Sequence, residues 1–247
     1  MKATAGQVTL DLLRTVRNVR YIIFTLGIPV GFYLLYGAMF GSHHSFAHTS
    51  WGAYFLISMA TYGAIGTTLN VTGTEAAQER AQGWQRYLAL TPLSGTQYVV
   101  AKIMTAMIAS LGVMVVLMLV AALRGVAIFT QPILPAIFGV WLGSISFAAL
   151  GLWIGQVLDS TTASYGVVVL YLALGFLGGL WTPLSVLPAV FSHIAAWLPS
   201  YAAASLGWSA LAHHAESLRN MGVLAGYIIV FGGAAGLVYA RREFRRE

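Results

Sequence analysis

Six stretches of this chain are continuously apolar for roughly the thickness of a bilayer, and they fix the solvent in which it can fold. They lie near 21–40, 52–74, 98–123, 132–157, 164–182 and 220–240. Crossing the hydrocarbon core takes about 20 helical residues. Transmembrane strands would alternate in units of about ten, so unbroken runs of this length predict helices. Composition agrees: 58% of the 247 residues are hydrophobic and 8% are charged, against about 25% charged in a soluble domain. The expected fold is an all-α membrane protein, one domain over residues 1–247 with six transmembrane helices.

The cations set the expected orientation, because Lys and Arg beside spans stay on the cytoplasmic side. A six-span arrangement places Lys2, Arg14, Arg17, Arg20, Arg80, Arg86, Lys102, Arg241, Arg242, Arg245 and Arg246 on one side, eleven of the 13 Lys and Arg. Only Arg124 and Arg219 fall outside. Five or seven spans would split the basic segments. Both termini and the 75–97 segment are therefore expected inside. The net charge of +6 does not point to nucleic acid, which needs a soluble basic face. Cations confined to short segments suit anionic lipid headgroups. The absence of cysteine excludes disulfides and thiolate metal sites. The first 20 residues show no short apolar core ending in a small-residue cleavage site, so no cleavable signal peptide is expected.

Three segments outside the spans stand out. Residues 7–20 read as an amphipathic helix, with Val8, Leu12, Val16 and Val19 on one face and Gln7, Asp11, Arg14 and Asn18 on the other. Such a helix beside a span lies in the membrane interface, held by Arg14, Arg17 and Arg20. Residues 75–92 carry Glu75, Glu79, Arg80 and Arg86, with Trp84, Tyr87 and Leu88 as an apolar stripe and Pro92 as a stop. This fits either an interfacial helix or a docking helix for a cytoplasmic partner. Residues 181–219 are too apolar for a solvated loop. Pro183, Pro188 and Pro199 cut them into pieces too short to span, as in re-entrant or interfacial helices whose backbone is buried in protein. Trp181, Trp197 and Trp208 would sit at the outer headgroup level, and the segment could gate a path. The histidines, including His43, His44 and His48, all fall outside; with no carboxylate beside them, a metal site is not expected.

The chain resembles the membrane subunits of ABC-2 type transporters, exporter permeases that pair with a separate ATPase. The matching residues are Glu79-Arg80-x-x-Gly83, then Leu90-Thr91-Pro92-Leu93-Ser94, then Tyr98-x-x-Ala101-Lys102. Further on they are Trp181-x-Pro183-Leu184-x-x-Leu187-Pro188 and Leu198-Pro199. The resemblance implies that the segment around Glu79, Arg80 and Gly83 is a coupling helix touching the ATPase; Trp84, Arg86 and Tyr87 join it from the amphipathic pattern. It implies an interfacial connecting helix at 7–20, an outer re-entrant gate around Trp181, Pro183, Pro188 and Pro199, and two permeases, identical or sister chains, with a path between them. It also places span five near that pairing, so Gly175 and Gly179 would be a subunit contact. A prokaryotic cytoplasmic (inner) membrane is expected, with ATP and Mg bound on the partner.

Absences sharpen this. No G-x-x-x-x-G-K-[ST] occurs, so the chain is not itself a P-loop ATPase. No catalytic residue set for an intramembrane hydrolase appears, because every histidine lies outside the spans. Lys102 and Arg124, at the ends of span three, are expected to reach the interface. With no carboxylate at mid-depth, an ion-coupled secondary transporter is disfavoured. The expected function is ATP-driven export of an amphiphile such as a drug-like compound, lipid or peptide. Tyr33, Tyr36, Tyr54 and Tyr62 would give the path polar tips. The alternative is a non-transporting scaffold or assembly factor.

Overall fold

The computed structural model describes residues 2–40, 45–46, 49–83, 95–129, 132–215 and 217–243. Helix α1 is Lys2–Arg17. Helix α2 is Val19–Ile22, continued by a π turn Ile23–Gly27 and by Ile28–Phe40. Two short antiparallel strands, β1 Ser45–Phe46 and β2 Thr49–Ser50, pair Ser45 with Ser50. Helix α3 runs as Trp51–Leu69, a π turn Asn70–Glu75 and Ala76–Ala81. Helix α4 is Gly95–Leu123 and α5 is Ile133–Val157; α6 is Ser160–Leu177. After a 3-10 turn Leu184–Val186 come α7, Ala189–Ala195, and α8, Pro199–Leu211. Helix α9 is Leu218–Tyr227, a π turn Ile228–Gly232 and Gly233–Glu243.

Among the described residues, four helices are long and apolar enough to cross a membrane: Gly95–Leu123, Ile133–Val157, Ser160–Leu177 and Leu218–Val238. Thr25–Phe40 is apolar but shorter. On α4 the lipid-facing pattern is explicit. Val100, Met104, Ile108, Leu111, Val115 and Leu119 are exposed, at steps of three and four that place them on one face. The opposite face, with Ala106, Ser110, Val113 and Leu117, is buried. Apolar groups outside and small or hydroxyl groups inside is the arrangement that a hydrocarbon solvent allows.

Helix α3 is the axis of the bundle. Every residue of Trp51–Leu69 except Tyr54 is buried, by α4, α2, α8 and α5. A helix wrapped by other helices needs small side chains more than greasy ones. Its Thr61, Thr67, Thr68 and Thr72 hydroxyls donate to carbonyls four residues back, at 2.6–2.8 Å, so none is left unpaired in an apolar interior. This explains why α3 is absent from the four most apolar helices despite its length.

Glycines set the tightest crossing. A Cβ on Gly151 would collide with the Thr72 hydroxyl, and one on Gly155 would stand 2.8 Å from the carbonyl oxygens of Thr72 and Gly73. The α3 π turn lies here, held against α5. The expected subunit contact at Gly175 and Gly179 is not what these residues make. A Cβ on Gly175 would lie 2.5 Å from the Tyr62 ring, and Gly179 turns the chain with φ 72° against Leu184. Both pack within the chain.

Two further expectations are corrected. The segment from Glu75 to Ala81 is not a separate interfacial helix; it continues α3 without a break. On α1, Gln7 and Asp11 do not face water: both are buried, as is Thr15, while Leu10 and Leu13 are exposed. The polar stripe turns toward α4.

Candidate functional site

The C-terminal half of α1, the C-terminal end of α3 and the N-terminal end of α4 meet in a cluster of ionised groups. Each helix contributes residues four apart, which share a face: Asp11 and Thr15, Glu75 and Glu79, Tyr98 and Lys102. The Lys102 ammonium lies 2.7 Å from Glu79 Oε1, 3.2 Å from Asp11 Oδ2 and 4.0 Å from Glu75 Oε2. Lys102 and Asp11 are both 0% exposed. Lys102 therefore does not reach the membrane interface, contrary to the expectation from its place near a span end. The net charge of the chain hid a local acidic excess.

Hydrogen bonds complete the cluster. The Tyr98 hydroxyl donates to Glu79 Oε2 at 2.6 Å. Gln7 Nε2 donates to Asp11 Oδ1 at 3.0 Å, and the Thr15 hydroxyl donates to Glu75 Oε1 at 3.3 Å. A buried ion pair gains little net stability, yet removing one partner strands the other in low dielectric. Three carboxylates around one ammonium make this acute. Burial pushes the Glu75 carboxyl, beyond the apolar run expected at 52–74, up to about 7, with Lys102 opposing the shift and Glu79 and Asp11 adding to it.

Arg80 faces the other way. Its guanidinium donates to the carbonyl oxygens of Gln156 and Leu158, at the C-terminal end of α5. Unpaired carbonyls and negative dipole at a helix C-terminus favour a cation there. The next turn is fixed by Asp159, whose Oδ1 accepts from the backbone N–H groups of Thr161 and Thr162 at 3.1 and 3.0 Å. A hydrogen bond from the Thr162 side chain, with these backbone bonds, holds its carboxyl below the usual range. Gly83 stops α3 with φ 73°, its N–H donating to the Arg80 carbonyl at 3.1 Å.

The structure thus brings Glu79, Arg80 and Gly83 together, with the first two turned into the protein. Gln78, Ala81 and Gln82 are the exposed residues there. Trp84, Arg86 and Tyr87 lie outside the described residues, as do His43, His44 and His48. Arg14 and Arg17 are exposed on α1; nothing is described of the Arg20 side chain. Sequence reasoning missed Asp11, Tyr98 and Lys102 as a unit. The available signal was the four-residue polar spacing on α1 and α4.

The residues expected at the outer end are at the opposite end of α3. Pro188 immediately precedes α7 and Pro199 begins α8. Helix α8 is packed against α5 and α3, with Pro199, Ala203 and Gly207 buried, whereas α7 buries only Ala195. Trp181 stacks on Phe32 at 5.3 Å. Of the four tyrosines expected to line a path, Tyr33 and Tyr62 are instead core residues. Tyr33 donates to the Gly52 carbonyl at 3.2 Å, and Tyr62 stacks on Tyr171 at 4.0 Å. Tyr36 stacks on Phe55 at 4.8 Å. Tyr54, stacked on Trp208 at 5.0 Å, lines a cavity with Pro183.

Residues 42–237 match the family model described as "ABC-2 family transporter protein". The chain is also 29% identical over 234 residues to the Bacillus subtilis (strain 168) protein named "Putative transport permease YvfS", covering 94% of each chain.

Proposed function

Because this chain belongs to the ABC-2 transporter family, and so is a multi-pass transmembrane subunit that works with an ABC ATPase, we propose that it exports an amphiphilic small molecule. The cargo is a drug-like compound, a lipid or a peptide, carried out through a prokaryotic inner membrane. In this reading the chain spans six times with both termini inside, and α7 and α8 form a re-entrant cap on the outer face. It pairs with a second copy or a sister permease, and ATP and Mg bind to the separate ATPase.

The observation that carries the coupling part of this reading is the buried junction at the end of α3. Glu79 ties that end to α4 and, through Lys102, to α1. Arg80 ties it to α5. A displacement applied to residues 76–83 would reach α1, α4 and α5 at once, because these contacts are buried or half-buried. Glu79 and Arg80 are positioning residues here. The residues that meet the ATPase are Gln78, Ala81 and Gln82 and, by the amphipathic pattern of the sequence, Trp84, Arg86 and Tyr87.

The test is co-purification and export with the cognate ATPase. The double variant Gln78→Glu with Gln82→Glu should insert and fold normally, lose the ATPase on co-purification and lose ATP-dependent efflux. Unchanged complex and unchanged efflux would refute the docking assignment. A complex that forms but never moves cargo with ATP would favour the scaffold. Efflux that persists in ATP-free vesicles under an ion gradient would make it a secondary transporter.

A further inference from the structure

Arg219, one of two cations on the expected outer side, stands where two cavities meet and lines both. The first, about 460 Å³, runs along α9 with Trp197, Gly222, Gly226, Tyr227 and Phe231. The second, about 440 Å³, lies beneath the Pro-broken segment with Tyr54, Ser185, Ser192, Tyr201 and Trp208. The first is apolar apart from Arg219 at its end, the Tyr227 hydroxyl and the Trp197 indole, and nothing lies within 4 Å of where a Cβ on Gly222 or Gly226 would be. The second carries hydroxyls. Helix α9 is the least buried of the four long apolar helices, so its groove opens toward hydrocarbon.

The Arg219 guanidinium lies 5.3 Å from the centre of the Trp197 ring, and no carboxylate among the described residues pairs with it. A guanidinium fork with unused donors matches a phosphate. We propose that Arg219 holds the phosphate of a phospholipid, with an acyl chain in the α9 groove and the headgroup in the hydroxyl-bearing cavity. The glycines would equally admit a helix of a second copy. A helix there would cover Arg219 with apolar surface and leave its charge without a counterion. A phospholipid satisfies the groove, the cation and the polar cavity together. That this place is used by exported cargo rests on the transport reading; the binding itself does not.

The experiment uses the full chain purified in maltoside detergent, without ATPase or ATP. The probe is a phosphatidylglycerol whose acyl chain carries a photoactivatable diazirine, with labelled peptides mapped by mass spectrometry. Labelling should concentrate on 222–231. Arg219→Gln should lower it about tenfold, the loss expected for one charge-assisted contact pair, and Arg219→Lys should keep part of it. Gly226→Leu should abolish it, while Gly112→Leu, which also projects into open space, should not. On the unaltered protein, phosphatidylglycerol should compete and diacylglycerol should not. Equal competition by diacylglycerol, or labelling indifferent to Arg219→Gln and Gly226→Leu, would overturn the site. A change of oligomer mass in Gly226→Leu with labelling retained would make the groove a seam between copies instead. Loss of binding here leaves the transport reading standing, and loss of export with binding intact sinks only that reading.

Discussion

The Lys102 ammonium lies 2.7 Å from the Glu79 carboxylate, across 23 residues of sequence and between two different helices. This pair fixes the end of α3 against the start of α4. Asp11, 3.2 Å from the same nitrogen, brings α1 to the same point. The C-terminal end of α3 is therefore held in an electrostatic joint buried in protein.

Lys102→Met should be severely destabilising. It leaves three carboxylates buried without a counter-charge, a loss of about 3–5 kcal/mol for a broken buried pair. The expected result is a large fall in melting temperature in detergent. Adding Glu79→Gln and Asp11→Asn should recover much of it, since neutral amides need no cation. Melting unchanged in the single variant would show that the joint is solvated.

Glu75 makes the joint sensitive to pH. Its carboxyl titrates at 4.5 when unperturbed and at about 7 in the folded chain. Between these values the folded state binds more protons than the unfolded state, so its contribution to stability falls as pH rises through that window. Below 4.5 both states are protonated and nothing is lost. Glu75→Gln should therefore melt higher than the parent at pH 8, and this advantage should shrink toward pH 5. An advantage constant across that range would contradict the assignment.

Arg80→Ala should uncap α5. Two carbonyls lose charge-assisted donors, at about 1.5–3 kcal/mol for a hydrogen bond to a charged group. Hydrogen exchange should accelerate at the C-terminal end of α5 and the start of α6, around 156–162. Arg80→Lys should rescue only in part, because one ammonium does not reproduce the two-pronged geometry. Exchange unchanged in Arg80→Ala would remove the capping role.

Gly151→Val should disrupt the crossing of α5 with α3. The added methyls would meet the Thr72 hydroxyl, and overpacking costs about 1–3 kcal/mol or more. Pairing it with Thr72→Ala, which removes the colliding oxygen, should recover part of the loss. Gly236→Val, with open space around it, is the control and should melt like the parent.

Much of the architecture is legible from residues alone because hydrocarbon imposes a one-dimensional rule: every spanning backbone must pair its own polar groups over about 20 residues. The runs at 98–123 and 132–157 lie on α4 and α5 within a few residues. The Pro-broken pieces at 181–219 fall on the short helices α7 and α8. The polar face of α1 is where the rule fails. Gln7 and Asp11 fit a helix facing headgroups as well as one facing a buried lysine, and periodicity cannot tell the two apart.

What the sequence by itself determined, then, was the solvent, the helical class and the resemblance carried by Glu79, Arg80, Gly83, Tyr98 and Lys102. Only the tertiary structure decided what those residues do to one another. A spacing of four places two side chains on one face, but which helix that face meets depends on packing, here on Gly151 and Gly155 letting α5 close on α3. The contact of Arg80 with the carbonyls at the end of α5 lies across that crossing, and the pairing of Glu79 with Lys102 depends likewise on how α3 meets α4. None of it is encoded in local periodicity, because the energy of a buried charge depends on its neighbours in space.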